Sequence, residues 1–273
     1  MSRIKVSKTI SKSCAQPIIG CLNQVVGFHA VCSLLRERPE IIELVYVRDN
    51  LSVTNKARTD ELLALAREKA VKLAMLTTSE LKDLVKTDYH QGVVAVVNND
   101  IKYQESDLVA IVEQHPQDAF ILILDGVCDP HNLGACIRSA NAFGVHAVVI
   151  PKDRACSFTP TVAKAAAGAA IVTPVIPVVN LARTMRFLKE RHIWLYGAAE
   201  EASECLYDLN LTPPLAVVMG SEGNGLRRLT REHCDLIFKI PTKGAITSLN
   251  VSVATGVCLF EVVRGQHFRA NKQ

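Results

Sequence analysis

The sequence predicts an α/β protein of two domains, the larger and C-terminal of which contains a parallel sheet. Three observations support this prediction. The chain has 273 residues, enough for two domains with separate cores. Short aliphatic runs alternate with helical patterns along most of its length. A polar stretch near position 100 interrupts the alternation and separates two regions.

The composition is typical of a compact globular protein. Hydrophobic residues make up 49% and charged residues 21%, which excludes a disordered chain. Aromatic residues make up only 5%, which argues against binding of single strands on stacked aromatic rings. The net charge of +4 is too small to identify a nucleic-acid-binding protein. The uncharged run 165–182 contains two prolines and many alanines, so we expect no membrane span there.

Nine cysteines are scattered along the chain without any C-x-x-C pair. This spacing argues against a metal cluster and against a disulfide framework, and we expect small apolar cysteines in a reducing cytoplasm. Residues 1–22 are basic and contain no acid. We expect a flexible N-terminal tail of a bacterial protein, with an organelle transit peptide as the alternative.

Residues 23–98 predict a small α/β domain, and residues 99–117 predict a linker with one short helix. The aliphatic and amphipathic patterns of the small domain alternate regularly. Its predicted helices and strands are His29–Arg36, Ile41–Val47, Lys56–Lys69, Val71–Met75, Thr78–Val85 and Val93–Val97.

Residues 118–273 form the second predicted domain. Its predicted strands are Ala119–Leu124, His146–Ile150, Ile171–Val175, His192–Tyr196, Leu215–Met219 and Leu236–Ile240, with helices at Asn132–Phe143 and Leu181–Arg191. Strands that are aliphatic on both faces and joined by helices indicate a parallel sheet covered on both sides. Ligands of such sheets bind at loops that follow the carboxyl ends of the strands.

The first of these loops follows Leu124. Asp129 and Pro130 predict a turn, and Asn132 is placed to cap the next helix. Arg138 lies on this helix among small residues, with no acidic residue one turn away. We expect it to reach a ligand or a partner chain, and the alternative is an ordinary surface ion pair.

The second loop follows Met219 and contains Gly220, Gly223 and Gly225, which permit positive φ and close approach to a ligand. Glu222 would repel a phosphate in this loop. A cofactor with hydroxyls and a cation, such as S-adenosylmethionine, fits the loop better, and a plain tight turn is the alternative.

The third loop ends in Ser248 and Asn250, both good helix-capping residues. The helix after them begins with small residues. Small residues indicate tight packing, either against a bound molecule or against the sheet.

Together the three loops resemble the SpoU (TrmH) family of SPOUT RNA 2′-O-ribose methyltransferases. The matching motifs are N-L-G-A-x-x-R-S-A from Asn132, V-M-G-x-E-G-x-G from Val218 and I-P-x-x-G-x-x-x-S-L-N-V-S-V-A from Ile240. The resemblance extends over residues 120–264. Gly27–Val31 and His90–Gly92 are similar to the substrate-binding domain of the RlmB group, which methylates a guanosine of bacterial 23S rRNA.

The resemblance implies a C-terminal SPOUT fold with a deep trefoil knot, preceded by a ribosomal-protein-like domain that binds the RNA substrate. It implies S-adenosyl-L-methionine as cofactor and a homodimer with its sites at the subunit interface. From the cysteine spacing we expect no metal. The implied reaction is methylation of the ribose 2′-hydroxyl of a guanosine in 23S rRNA. The implied cofactor residues are Met219, Gly220, Ile240 and Leu249, and the implied catalytic set is Asn132, Arg138, Glu222, Ser248 and Asn250.

Within that set, the resemblance implies that Arg138 is the candidate base. A guanidinium is a poor proton acceptor, so we assign Arg138 to binding of the target phosphate and hydroxyl and leave proton acceptance open. Glu222 and Asn132 would hold the arginine and the loops, while Ser248 and Asn250 would fix the third loop. We expect RNA contacts from the N-terminal domain and from two basic clusters, although both could be solvated helix faces. The clusters are Arg183, Arg186, Lys189 and Arg191, and Arg227, Arg228 and Arg231.

Two other functions stay open at this point. One is methylation of ribose in tRNA or in mitochondrial large-subunit rRNA. The other is a non-catalytic RNA-binding module.

Overall fold

The structure is a computed structural model that describes residues 24–49, 56–85, 90–98 and 103–270, except 154, 158, 167 and 245–247. The tail predicted at residues 1–22 lies outside the described residues. No helix in the described ranges combines the length and the apolar character needed to cross a membrane.

A mixed four-stranded sheet forms the core of the N-terminal domain, in the order β1-β4-β2-β3. β2 and β3 are parallel, whereas β4 is antiparallel to both β1 and β2. The elements are β1 (Gln24–Val26), α1 (Phe28–Glu37), β2 (Ile42–Arg48), α2 (Lys56–Glu68), β3 (Leu73–Leu76), α3 (Thr78–Val85) and β4 (Val93–Val97). Val31, Leu34 and Leu35 form the buried face of α1 against this sheet.

The two N-terminal sequence motifs meet in the turn before β4. The side-chain oxygen of Gln91 accepts from the backbone N–H of Phe28 at 3.2 Å. His90 is buried, and its Nδ1 accepts from the backbone N–H of Gly92 at 3.0 Å. Both motifs therefore fix a turn of this domain, with Gln91 at φ +50° and Gly92 at φ +78°.

A seven-stranded parallel sheet forms the core of the C-terminal region, in the order β7-β6-β5-β10-β8-β11-β9. Its strands are β5 (Phe120–Asp125), β6 (Ala147–Pro151), β7 (Val175–Val178), β8 (Trp194–Ala198), β9 (Glu204–Cys205), β10 (Leu215–Gly220) and β11 (Leu236–Lys239). Every residue of β5 and β6 is buried, because helices cover both faces of the sheet.

Seven helices flank this sheet in the described chain: α4 (Glu105–Gln114), α5 (Pro130–Ala142), α6 (Pro160–Ala165), α7 (Ala169–Val172), α8 (Leu181–Glu190), α9 (Arg228–His233) and α10 (Val251–Ala270). α5, α6 and α10 cover one face, whereas α4 and α8 cover the other. Leu108 and Val112 of α4 are buried in that second core, so the C-terminal part of the predicted linker packs on the sheet.

The strand predicted at Ile171–Val175 is wrong. Its first two residues are the end of α7 (Ala169–Val172), and the strand begins only at Val175. Ile171 and Val172 pack against the core of the N-terminal domain. Their apolar character therefore arises from a contact between domains and not from burial within the sheet.

The predicted fold class is confirmed in its α/β character, its parallel C-terminal sheet and its separate N-terminal domain. The strand order does not test the trefoil knot, which stays a prediction.

Candidate active site

The carboxyl edge of the larger sheet brings the first and second loops together. β5 and β10 are neighbours, and their register pairs Leu124 with Met219 and Asp125 with Gly220. The two loops therefore leave the sheet about one interstrand spacing, ~4.8 Å, apart. The loop after β5 leads into α5, and the loop after β10 carries Glu222.

The loop after β10 is a tight glycine hairpin. Ser221 and Gly225 exchange backbone hydrogen bonds of 3.0 and 3.1 Å. A Cβ on Gly220 would lie 2.1 Å from the carbonyl carbon of Gly225, so glycine is required for the hairpin to close. Gly223 and Gly225 have positive φ, and apart from their chain neighbours no described atom lies within 4 Å of the Cβ that either would carry. The outer face of this hairpin is therefore open to a ligand.

Asp129 caps the N-terminus of α5, and the capping role expected of Asn132 is wrong. The Asp129 carboxylate accepts from the Asn132 backbone N–H at 2.9 Å, and Pro130 takes the first helical position. The helix begins two residues earlier than its sequence pattern indicates. The side chain of Asn132 is consequently available for a contact outside its own helix.

The side-chain amide of Asn250 joins the three loops. Its Nδ2 donates to Asn132 Oδ1 at 3.0 Å and to Glu222 Oε1 at 2.5 Å. Its Oδ1 accepts from the backbone N–H of Ser252 at 3.0 Å and from that of Val253 at 3.4 Å, which caps α10. One amide thus fixes the start of α10 against α5 and against the glycine hairpin. We call these three side chains, Asn132, Glu222 and Asn250, the amide junction.

Glu222 gives the amide junction a negative charge near α5. Burial and, to a smaller extent, the charge of Glu222 raise the pKa of the Cys136 thiol to about 11. Thr255 of α10 hydrogen-bonds this thiol at 3.5 Å and acts on the pKa in the opposite direction. A carboxylate at the meeting point of α5 and α10 would attract a cationic ligand.

The residues predicted to bind the cofactor lie on loops that end at this edge of the sheet. Met219 is buried at the end of β10, and Ile240 is half-buried directly after β11. Leu249 is 41% exposed next to Asn250 and offers an apolar surface that a bound molecule would cover. Ser248 is exposed, and residues 245–247 of its loop lie outside the described chain.

The structure does not bring Arg138 to the amide junction of its own chain. Arg138 is exposed on α5 and follows Asn132 by six residues, which places it roughly 9 Å further along the helix and on another side of it. No hydrogen bond or ion pair links it to the junction among the described residues. The sequence-based prediction that Glu222 and Asn132 hold the arginine is therefore not met within one chain.

An exposed apolar stripe runs along α10, which packs against α5. Val253, Val257 and Phe260 share one face of α10 at helical spacing and are 53%, 37% and 54% exposed. The Phe260 ring contacts Phe143, which follows α5, edge to face at 6.2 Å. The opposite face of α10 is buried in the core. α10 is therefore apolar on both sides, although the described residues cover only one of them.

Most of the basic residues expected to bind RNA have acidic neighbours. The ion pairs are Arg183–Glu105, Lys189–Asp235, Arg227–Asp125, Arg228–Glu232 and Arg231–Glu201. The guanidinium of Arg191 lies over the Phe187 ring at 3.8 Å. These contacts favour the alternative of solvated helix faces for most of the two clusters.

Three potential metal ligands lie at the opposite, amino-terminal edge of the sheet. Ligand atoms of His115, Asp118 and His146 lie within 4.8 Å of one another. His146 Nδ1 accepts from the backbone N–H of Phe120 at 3.0 Å, which places the proton of the neutral ring on Nε2 and removes that atom as a ligand. The histidine rings stack at 3.7 Å, with planes only 14° apart, and so do not converge on a shared ion. The expected absence of a metal stays a prediction.

Comparison with known proteins places this geometry in a family. Residues 119–260 match the model of the SpoU rRNA Methylase family, and residues 24–101 match the model described as RNA 2′-O ribose methyltransferase substrate binding. The chain belongs to the SpoU rRNA methylase family. The family recognised from the three loops is thereby confirmed, and with it a methyltransferase class of enzyme.

Relatives within this family match nearly the whole chain. The 23S rRNA (guanosine-2′-O-)-methyltransferase RlmB of Pectobacterium atrosepticum is 49% identical over 88% of this chain and 97% of its own length. The protein of the same name from Escherichia coli K12 is 48% identical over the same shares. Among solved structures, the SpoU methyltransferase AviRb from Streptomyces viridochromogenes superposes with a TM-score of 0.66 at 25% identity over 90% of each chain. AviRb has also been solved in complex with AdoMet, with a TM-score of 0.65.

Two contributors to the site were missed by sequence reasoning. Asp129 caps α5, and the Asp-Pro pair before a helical pattern was the signal that could have identified it. The buried Asp125 carboxylate accepts from the Arg227 backbone N–H at 2.9 Å and so ties the end of the glycine loop to β5. No local pattern predicts that contact, because it joins residues 102 positions apart.

Proposed function

We propose that this chain transfers the methyl group of S-adenosyl-L-methionine to the ribose 2′-hydroxyl of a guanosine in 23S rRNA. The observation that carries the proposal is the amide junction, where the three family motifs meet through the amide of Asn250. The names of the relatives from Pectobacterium atrosepticum and Escherichia coli support the choice of 23S rRNA guanosine. Because that substrate is ribosomal RNA, we also propose a cytoplasmic location.

The residues around the amide junction fit the proposed cofactor. S-adenosyl-L-methionine supplies an activated methyl group on a sulfonium cation. The open face of the glycine hairpin at Gly223 and Gly225 leaves room for backbone contacts, and the Glu222 carboxylate matches a cation. Exposed Leu249 offers apolar surface for the less polar parts. We assign the cofactor contacts to Met219, Gly220, Ile240 and Leu249.

We propose that Arg138 acts on the site of a partner subunit. It is exposed, and it lies on another side of α5 from Asn132, so one chain does not supply it to its own junction. Because α5 packs against α10, an interface formed by the apolar stripe of α10 would bring the exposed side of α5 close to a second copy. A twofold dimer would give each subunit the other's arginine.

The occupant we propose for the apolar stripe is a second copy of this chain. Val253, Val257 and Phe260 are exposed on a helix whose other face is already buried. A contiguous apolar surface of this kind indicates an interface rather than a solvated face. Its position beside α5 explains why the site would be complete only in the dimer.

In the proposed reaction the protein positions the ribose and stabilises charge. Guanidinium groups stay protonated in proteins, so we assign Arg138 to binding of the target phosphate and 2′-hydroxyl. Asn132 and Glu222 hold the Asn250 amide, while Asn250 and Ser248 fix the third loop. In-line placement of the hydroxyl lowers the activation barrier of such a displacement by an amount on the order of several kcal/mol.

Mapping of ribose methylation tests the substrate. We expect 23S rRNA from a strain lacking this protein to lose one guanosine 2′-O-methyl group, which wild-type protein restores and the Arg138→Ala variant does not. Loss of a tRNA methyl group instead would assign the enzyme to tRNA. An unchanged methylation pattern, with no cofactor binding by calorimetry, would favour a non-catalytic RNA-binding module.

Subunit mixing tests the placement of Arg138. The Arg138→Ala and Asn250→Ala chains, each inactive alone, are unfolded together and refolded. If each site takes Asn250 from one chain and Arg138 from the other, half of the dimers are mixed and each holds one intact site. Activity then returns to about a quarter of wild type. No recovery, despite mixed dimers seen by native mass spectrometry, would contradict action across the interface.

A further inference from the structure

Two cysteines lie on adjacent loops at the carboxyl edge of the larger sheet. Cys128 is in the turn between β5 and α5, and Cys156 is in the segment between β6 and α6. β5 and β6 are neighbouring parallel strands, so their following loops run side by side. Neither cysteine has a role in the proposed methyl transfer.

A backbone hydrogen bond fixes the distance between the two loops. The N–H of Cys156 donates to the carbonyl of Val127 at 3.0 Å, and Val127 directly precedes Cys128. Segments joined in this way lie about one interstrand spacing, ~4.8 Å, apart. A disulfide spans roughly 4.4–6.8 Å between Cα atoms, and Cys128 follows the hydrogen-bonded residue Val127 by one position. Cys128 contributes to the raised pKa of Cys156, as expected for a thiol on the neighbouring loop.

Both thiols can turn toward each other at small cost. Cys128 is exposed, and its Sγ donates to the Gly126 carbonyl at 3.3 Å. Cys156 is half-buried, and its Sγ donates to the Ser157 carbonyl at 3.2 Å. A thiol is a weak donor, so rotation about either Cα–Cβ bond gives up little.

We propose that Cys128 and Cys156 are a redox-modification site that forms a reversible disulfide with a peroxide as oxidant. The Cys128 thiolate attacks one peroxide oxygen, which breaks the O–O bond and gives a sulfenic acid and water. The Cys156 thiolate then attacks the sulfenic sulfur and releases the second water. Two thiols and one hydrogen peroxide thus become one disulfide and two waters, and an external dithiol reverses the reaction.

The surroundings set the rate and the selectivity of this chemistry. Burial, followed by the charges of Asp129 and Cys128, raises the pKa of Cys156, so the second step should accelerate as the pH rises. Burial raises the pKa of Cys258 and of Cys234 to about 12 and that of Cys136 to about 11, which keeps these thiols out of competition near neutral pH. The bond would clamp the turn before Asp129 to the segment before α6.

Peptide mapping of the full chain after hydrogen peroxide treatment tests the proposal. We expect a cross-link between the tryptic peptides 103–138 and 155–164, 2 Da lighter than the two thiol peptides together and lost on addition of dithiothreitol. Cys136 shares the first peptide, so fragment ions must place the bond on Cys128. This readout does not depend on methyl transfer, and it can fail or succeed whether or not the proposed function holds.

Matched serine variants make the test decisive. Cys128→Ser and Cys156→Ser should each abolish the cross-link, while Cys205→Ser, at another half-buried cysteine, should keep it. Unchanged circular dichroism checks that the variants fold. Oxidation of Cys128 to sulfinic acid without a cross-link, or a bond from Cys128 to any other cysteine, would overturn the proposal.

Discussion

The two parts of α5 differ in what surrounds them. At its N-terminal end Asn132 is held by Asn250 within the chain. Six residues later Arg138 is exposed, and the neighbouring helix α10 leaves Val257 and Phe260 uncovered. Both residues belong to the same family motif, yet the chain satisfies only the first by itself.

The difference indicates which part of the proposed active site one subunit can form by itself. The loops proposed to hold the methyl donor are closed by contacts inside the chain. The guanidinium proposed to hold the acceptor is left on the surface. A monomer would therefore be able to bind the donor without being able to place the ribose.

The largest expected effect comes from Arg138→Ala, which removes the acceptor side alone. We expect methyl transfer to fall by at least about 100-fold, as when one preorganised group that stabilises charge is removed. Donor affinity by calorimetry should stay within about twofold of wild type, since Arg138 lies outside the amide junction. The comparison variant is Arg186→Ala, at an exposed arginine of α8 in a cluster expected to bind RNA, and it should lower methyl transfer far less than Arg138→Ala. Joint loss of activity, donor binding and fold would show that Arg138 has a structural role instead.

Phe260→Glu separates the subunits and should have the next largest effect. A carboxylate in an apolar interface opposes association, so we expect monomers by light scattering and a loss of methyl transfer on the order of 10-fold or more. Leu229→Glu is the control, because Leu229 is 55% exposed against 54% for Phe260 but lies on α9. A dimer that survives the Phe260 change would remove the stripe from the interface.

Asn250→Asp separates the cap of α10 from the closure of the loops. Aspartate caps a helix as well as asparagine, but it cannot donate to Asn132 or Glu222, and it adds a second negative charge. We expect donor affinity to fall by about 10-fold, the size of a lost hydrogen bond to a charged group. Asn180→Asp, at the equivalent capping position of α8, should change neither affinity nor activity. Equal affinities of both variants would contradict the bridging role.

Asp129→Ala should have the smallest effect, confined to the N-terminal end of α5. Loss of the cap on the Asn132 N–H should lower the free energy of unfolding by about 1 kcal/mol, measured by urea denaturation. Asp129→Asn keeps a capping side chain and should restore most of that stability. A larger loss that asparagine does not rescue would mean that the Asp129 charge matters in itself.

Sequence reasoning reached the strands that are covered by their own domain. β5, β6 and β10 were located to within a residue or two, because aliphatic runs buried on both faces have few other interpretations. The same reasoning wrongly predicted a strand at Ile171 and Val172, because these residues pack against the N-terminal domain and not within the sheet. An apolar run in the sequence does not show whether the segment is buried by its own domain or by another one.

The candidate site shows a similar limit. The capping ability of Asn250 follows from its type and position, and the structure places it at the start of α10. Its contacts with Asn132 and Glu222 span 118 and 28 residues and have no local signature. The family resemblance named these residues as a set, and only the structure identifies which atoms meet.

The oxygen and the nitrogen of the Asn250 carboxamide bind different elements, so fraying of α10 and opening of the loops are coupled. Its oxygen faces the first turn of α10 and its nitrogen faces the loops, so a swap of the two ends would leave both sides without partners. Whatever loosens that turn also releases the hairpin. Hydrogen exchange at the backbone amides of Ser252 and Val253 would therefore measure how often the loops of the site open.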